Sequence, residues 1–246
     1  MIRGNLLLKL GLGAVLGLIS YALFSMTTTT KNDGENVRQN KILRSSSSPP
    51  PVKVQVYTEA LCNGCQMFML ESLIPAYRKL AGDDGKNDVM DLTWIPFGNS
   101  DLDEANHSIS CQHGDAECDA DIWEQCAAYM YRDDPAIYLT FVECLEEALP
   151  MGHRDELFPV DVFEDCANIV EEMNFEAISA CHDNPFLSWT LQVQAARATP
   201  DDHKYVPWVV INGDLYDQDE DEDQDFLATI CSTYQAQGGS HPACSQ

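Results

Sequence analysis

Cys62-Asn63-Gly64-Cys65 lies where an alternating strand gives way to a helical stretch, and no other feature constrains the fold as tightly. Val52, Val54 and Val56 alternate with Lys53, Gln55 and Tyr57, the period of a strand. Beyond Thr58-Glu59-Ala60-Leu61 the CxxC opens a segment in which Phe68, Leu73, Ile74 and Tyr77 share one broad face, with Pro75 expected to kink it. Residues 89–97 read as a second strand buried on both faces, because Leu92 and Trp94 alternate with Thr93 and Ile95. Residues 99–200 read as helical. Asp134-Pro135 has the form of an N-cap with proline at the first helical position, and Ile137, Phe141, Leu145 and Leu149 follow at helical spacing. Asp161 with Glu164 resembles a capping box ahead of Cys166, Ile169, Val170 and Met173. Asn184-Pro185 opens a further helix with Phe186, Trp189, Val193 and Ala196 on one side. Strand period returns from Val206 to Asn212, Gly213-Asp214 turns the chain, and Phe226 to Tyr234 forms a closing helix with Ile230 and Cys231 facing inward. The order is strand, helix, strand, helical block, strand, helix: an α/β chain with a CxxC at its first strand–helix junction.

That junction suits thiol–disulfide exchange, which needs an accessible thiolate and a second thiol close enough to resolve a mixed disulfide. At a helix N-terminus the first Cys meets unpaired N–H groups and the positive end of the dipole, both of which favour the thiolate. One turn later the second lies beneath it. Cys62 is therefore the expected nucleophile and Cys65 the expected resolving thiol, with Gly64 keeping the turn open. A zinc knuckle would need a second close pair, whereas the next cysteines are Cys111, Cys118 and Cys126, with six and seven residues between them. A purely structural bridge across so short a loop removes little chain entropy. The reading calls for no cofactor and no metal.

Charge and cysteine content narrow the class. Residues 1–51 hold six basic and two acidic residues, so the remainder carries a net charge of −30 within a total of −26. So acidic a body is repelled by phosphate backbones, which argues against nucleic acid as a partner. All ten cysteines lie in that body, behind an apolar leader, which points to an oxidising lumen or the exterior. Leu10 to Met26 carries no charge, so residues 1–26 read as a signal peptide cleaved near Ala22 or as a signal anchor holding the protein to a membrane through 10–26. Residues 27–51, with Thr, Ser and Pro runs, read as a disordered linker, leaving 52–246 as the folded domain. Asn106-His107-Ser108 is the one N-glycosylation sequon. The run Asp217 to Asp225, seven acidic residues in nine, departs from a calcium-binding loop and reads as a solvated hairpin end.

Three stretches resemble one family. Cys111-Gln112-His113-Gly114-Asp115-Ala116-Glu117-Cys118, ending at Cys126, closely resembles the CQHGxxECxxNxxxxC signature of the gamma-interferon-inducible lysosomal thiol reductase family; the signature's Asn is Asp121 here, a departure that bears on a local hydrogen bond. Glu59-Ala60-Leu61-Cys62 and Tyr205-Val206-Pro207-Trp208-Val209 with Asn212-Gly213 are also similar to it. The resemblance spans 52–246. It implies a thioredoxin-like fold with a large helical insertion (99–200) between the second strand and a cis-proline strand. It further implies reduction of protein disulfides in an acidic endolysosomal lumen, with disulfide-containing proteins as substrates and an unidentified thiol as electron donor. Pro207 takes the cis-proline position, and with Val206 it is expected to present backbone to the substrate. Glu59 is a candidate proton shuttle for Cys65, while His113 is expected to pack or hydrogen-bond rather than to catalyse. Cys111, Cys118, Cys126, Cys144, Cys166, Cys181, Cys231 and Cys244 are expected to form four structural disulfides, with Cys231–Cys244 a plausible local pair. The ending Ala243-Cys244-Ser245-Gln246 is not a retention tetrapeptide, so the lysosome, vacuole or exterior is the expected destination. The rival class is a disulfide-stapled binding or chaperone-like protein; an oxidase or isomerase of the same fold is the other.

Working at acid pH sets a quantitative requirement. A thiol of pKa ~8.5 is a thiolate about once in 3,000 molecules at pH ~5. Lowering the pKa by ~3 units gains ~800-fold in thiolate and loses ~15–30-fold in nucleophilicity, a net advantage of ~25–50-fold. Cys62 is therefore expected to have a depressed pKa.

Overall fold

The computed structural model describes residues 48–82, 85–216 and 225–245. The expected leader, most of the linker and the acidic run through Gln224 lie outside them. Among the described residues no helix is long and apolar enough to cross a membrane.

The central sheet has four strands in the order β2-β1-β5-β6. β1 (Val52–Thr58) pairs in parallel with β2 (Met90–Pro96). On its other side it pairs antiparallel with β5 (Trp208–Ile211), which continues into β6 (Asp214–Tyr216). β1 is central and accordingly the most buried strand, with Val52, Val54 and Val56 fully enclosed. β2 is an edge strand, which corrects the expectation of burial on both faces: Thr93 is exposed and Leu92 half-buried. The hairpin turn is Asn212-Gly213, one residue earlier than expected, with both residues at positive φ (53° and 95°).

The helix after the CxxC runs as α1 (Asn63–Phe68), a π turn (Met69–Leu73) and α2 (Ile74–Leu80). Pro75 does not break it. Its missing N–H is absorbed where the ladder widens, Ile74 N–H bonding back to Met69 O. Phe68, Leu73, Ile74 and Tyr77 are buried as the pattern implied.

Between β2 and β5 the chain first makes a small hairpin, β3 (Asp101–Asp103) and β4 (Ser108–Ser110), which the helical reading of 99–200 missed because three-residue strands carry no usable period. Five helices follow: α3 (Asp115–Met130), α4 (Pro135–Ala148), α5 (Val160–Asn168), α6 (Phe175–His182) and α7 (Pro185–Ala198). Trp123, 1% exposed, is their hub, stacked with Phe163 (centroids 4.7 Å apart), Phe175 (5.7 Å) and His182 (4.1 Å). Asn184 caps α7 through its side chain, as its sequence implied. Asp134 precedes α4 without a side-chain cap bond, and α5 begins at Val160 after Pro159, so Asp161 lies in the first turn and no capping box forms. The buried face of α7 is Ser188, Leu191, Gln192 and Ala195, not the predicted Phe186 side; Phe186 is 80% exposed. Ile169, just past the end of α5, is likewise exposed. α8 (Phe226–Ala236) closes the fold with Ile230 and Cys231 inward.

Four disulfides tie the domain: Cys111–Cys118, Cys126–Cys181, Cys144–Cys166 and Cys231–Cys244. Two of them cross-link insertion helices (α3 to α6, α4 to α5), and the last joins α8 to the C-terminal turn. Removing the α7 cap by Asn184→Ala strands two backbone N–H groups and should cost about 1 kcal/mol, or about 2–4 °C in Tm. An unchanged thermal midpoint would contradict the capping role.

Candidate active site

Cys62 is the N-cap of α1, with φ −78° and ψ 119°, so its side chain turns back over the first helical turn. Its Sγ accepts the Cys65 N–H at 3.4 Å and lies 3.8 Å from the Val206 carbonyl oxygen. The Cys65 thiol as hydrogen-bond partner lowers the Cys62 pKa to about 6; burial opposes this, and the backbone N–H groups of Cys65 and Gly64, with the charge of His113, assist it. Cys65 is fully buried, and burial followed by the neighbouring Cys62 sulfur raises its thiol well above the usual range. The two sulfurs share one turn of helix and have opposite acidities. Both are free, while the other eight cysteines are paired.

The Val206–Pro207 bond is cis, and this segment faces the CxxC. Gly64 packs against it: a Cβ there would stand at ordinary contact distance, 3.4 Å from Pro207 Cδ and 3.6 Å from Val206 O.

Glu59, between β1 and α1, is fully buried. One carboxylate oxygen accepts the Asn99 N–H, and Gly98 leaves it room, since any Cβ there would overlap the Glu59 side chain. The other oxygen has no hydrogen-bond partner and lies 3.5 Å from His113 Nδ1. Burial, with the neighbouring Glu117 carboxylate, raises the Glu59 pKa to about 7. His113 is gripped twice by Glu117: its N–H bonds Oε1 at 2.8 Å and its Nδ1 lies 2.5 Å from Oε2. Asp121 is buried beside them and accepts the Ala60 N–H at 3.0 Å, so the departure from the signature's Asn retains a hydrogen bond at this point. Glu124 and Glu146 are also buried, and none of their four carboxylate oxygens has a hydrogen-bond partner. Burial is the main cause that pushes Asp121, Glu124 and Glu146 far above the ordinary carboxyl range.

Sequence reasoning singled out Glu59 and His113 but missed Glu117, Glu124 and Glu146. The spacing of His113 and Glu117 by four residues, one turn of helix, was the available signal; the others sit among apolar residues of α3 and α4 with nothing to mark them. Asn106 lies apart, exposed in the β3–β4 hairpin and bonded to Asp103. Glu59, His113 and Glu117 bring ligand-type atoms within 4.8 Å of one another. They could close on a cation only with both carboxyls ionised and the His113–Glu117 bond broken, whereas below neutrality Glu59 keeps a proton instead.

The model of the gamma interferon inducible lysosomal thiol reductase family matches residues 53–170. A gamma-interferon-responsive lysosomal thiol protein of Arabidopsis thaliana is 30% identical over 197 residues, covering 79% of this chain and 76% of that protein. The chain belongs to the gamma interferon inducible lysosomal thiol reductase family. A second family member, the gamma-interferon-inducible lysosomal thiol reductase of Carassius auratus, is 30% identical over 203 residues, 80% of this chain and 73% of its own. Among solved structures, the reduced disulfide oxidoreductase DsbG of Mycobacterium tuberculosis superposes with a TM-score of 0.53 at 18% identity, over 82% of this chain and 85% of that one. Reduced DsbA of the same organism gives 0.53 at 15%, over 82% and 89%. These likenesses establish the thioredoxin-like fold with a helical insertion, and family membership makes the chain a thiol–disulfide oxidoreductase.

The acidity of Cys62 is directly measurable. In the reduced family member, alkylation by iodoacetamide should follow a titration with a midpoint of about 6, with Cys65 unmodified until the protein unfolds. A midpoint above about 8 would contradict the hydrogen-bonded thiolate.

Proposed function

We propose that the chain reduces disulfides of protein substrates in an acidic lumen of the endolysosomal or vacuolar system, or after secretion. The carrying observation is the asymmetric pair: an acidic, reachable Cys62 above a fully buried Cys65 whose thiol resists ionisation. The Cys62 thiolate attacks a substrate disulfide, forming a mixed disulfide and releasing one substrate thiolate, which takes a proton from solvent. Cys65 then loses its proton, to Glu59 in those molecules where that carboxyl is ionised, and attacks Cys62 Sγ. A Cys62–Cys65 bond forms, the bond to substrate breaks, and the electron pair leaves with the second substrate sulfur. An external thiol must return two electrons to the pair. The Val206 carbonyl, beside Cys62 Sγ and ahead of Pro207, is the backbone group placed to meet an extended substrate. Net reduction is supported by the names that the relatives carry.

Acid operation is supported by two features. A Cys62 pKa of about 6 leaves about one molecule in ten as thiolate at pH 5, against about one in 3,000 for an ordinary thiol. The buried carboxyls point the same way. Glu59, Asp121, Glu124 and Glu146 have folded pKa values above their unfolded ones, so their contribution to stability is complete below about pH 4.5 and is lost as pH rises through the folded values, about 7 for Glu59. In such a lumen the exposed Asn106 is the position that would receive an N-glycan.

Turnover of a disulfide-bonded model protein tests the reaction. Wild type should stay active at pH 5, at about a tenth of the thiolate-limited rate it reaches at pH 7, when reductant is not limiting. Cys62→Ser should lose at least about 10³-fold, and Cys65→Ser should accumulate the mixed disulfide. Absence of wild-type turnover above the uncatalysed background would overturn the proposal in favour of a non-catalytic, disulfide-stapled protein, and undiminished turnover by Cys62→Ser would remove Cys62 as the nucleophile. Stability gives an independent check: the oxidised protein, in which the CxxC does not titrate, should melt about 5–10 °C higher at pH 5 than at pH 7.5, equivalent to about 2–4 kcal/mol. A lower melting point at pH 5 would contradict the carboxyl account.

A further inference from the structure

Between α4 and α5 the chain runs past the CxxC, held there by hydrogen bonds at both ends and in the middle. Leu149, buried just after α4, offers its carbonyl to Gln66 Nε2 at 3.2 Å, and the same nitrogen donates to Ala60 O at 3.0 Å. The Gly152 N–H donates to Leu61 O at 2.9 Å, and the Arg154 N–H donates to His113 O at 2.7 Å. Gly152 takes a φ of 95° with open space where a Cβ would stand, so backbone conformation rather than crowding calls for glycine. Residues 149–154 are thereby fastened to α1, to the residue before the nucleophile and to the loop that the Cys111–Cys118 disulfide closes.

Met151 stands between the first two fastenings. It is 56% exposed and lies outside the hydrophobic core, so packing gives no reason for a large apolar side chain at this point. The next residue's N–H ends on Leu61 O. Adding the covalent spans on either side of that bond puts the Met151 Cα no more than about 8 Å from the Cys62 Cα. Two or three residues of extended polypeptide cover such a distance. The other loop at the site is built alike. Tyr205, 38% exposed and edge-on to Trp208 with centroids 5.2 Å apart, directly precedes Val206, whose carbonyl lies 3.8 Å from Cys62 Sγ. Each loop that meets the CxxC therefore shows water an apolar side chain. A small thiol has nothing to place against such groups, whereas a polypeptide carrying a disulfide has side chains on both sides of its cysteine. Methionine, unbranched and polarisable, adapts to side chains of differing shape.

We propose that Met151 is a substrate-contacting residue that sets specificity, receiving an apolar side chain next to the cysteine of an extended polypeptide while the Val206 carbonyl meets its backbone. The contact favours sequences that folded proteins keep inside, so it selects disulfides in unfolded chains over those with polar surroundings.

This inference rests on the reductase reading, and the test separates the two. Two synthetic peptides share one disulfide loop, with leucine on both sides of the attacked cysteine in the first and asparagine in the second. Both are reduced at pH 5 with reductant in excess. Wild type should favour the leucine peptide about 10-fold in kcat/KM. Met151→Ala should cut that preference to about 2-fold, mainly through KM, and Met151→Leu should keep it. Damage to the fold or to Cys62 slows both peptides alike and leaves the ratio where it was. An equal ratio in Met151→Ala and wild type therefore overturns the contact and leaves the reductase reading standing, as does a wild type that does not distinguish the peptides. Absence of wild-type turnover of either peptide overturns the reading and the contact together.

Discussion

The Cys65 N–H to Cys62 Sγ hydrogen bond is the contact on which the site depends. It exists because Cys62 is an N-cap, and Cys62 is an N-cap because β1 ends at Thr58 and the chain needs only four residues to enter the helix. The same geometry sends Cys65 inward, where burial keeps it a thiol. One helical turn thus produces two sulfurs of opposite character without any charged residue in the motif. The Pro207 loop packs over the helix start beside Gly64 and sets the Val206 carbonyl next to the reactive sulfur.

Beneath that turn the domain hides an unusual density of carboxyls. Glu59 comes from just after β1, Asp121 and Glu124 from α3, and Glu146 from α4, so the sheet and the insertion meet across acidic groups. As anions they would be costly neighbours with too few donors; as neutral acids each gains a hydrogen to donate. Protonation is therefore part of how the insertion seats on the sheet. The joint is firm in acid and looser near neutrality.

Much of this was legible in the sequence. The alternation at Val52–Val56, the CxxC beyond it and the Asn184-Pro185 start all became the elements they implied, because each is specified locally by period or by capping chemistry. What escaped was set by tertiary context. Trp189 and Phe186 look like a core face, yet α7 buries Ser188 and Gln192, since the partner surface rather than the helix decides which side is covered. Thr93 is exposed because β2 has a neighbour on one side alone. Glu124 and Glu146 were invisible for a related reason: a buried acid and a solvated one look alike in a string of letters. At the site itself, His113 was read as a residue that packs or hydrogen-bonds, and its two bonds to Glu117 agree with that.

The Cys111–Cys118 link carries a further consequence. It encloses His113 and Glu117, so the catalyst stands on a bond of the very kind it cleaves. Whatever recharges the CxxC must be strong enough to open Cys62–Cys65 yet too weak, or too badly placed, to open its neighbour. The domain therefore imposes a ceiling on its own electron supply: past that ceiling, more reducing power would dismantle the enzyme it drives.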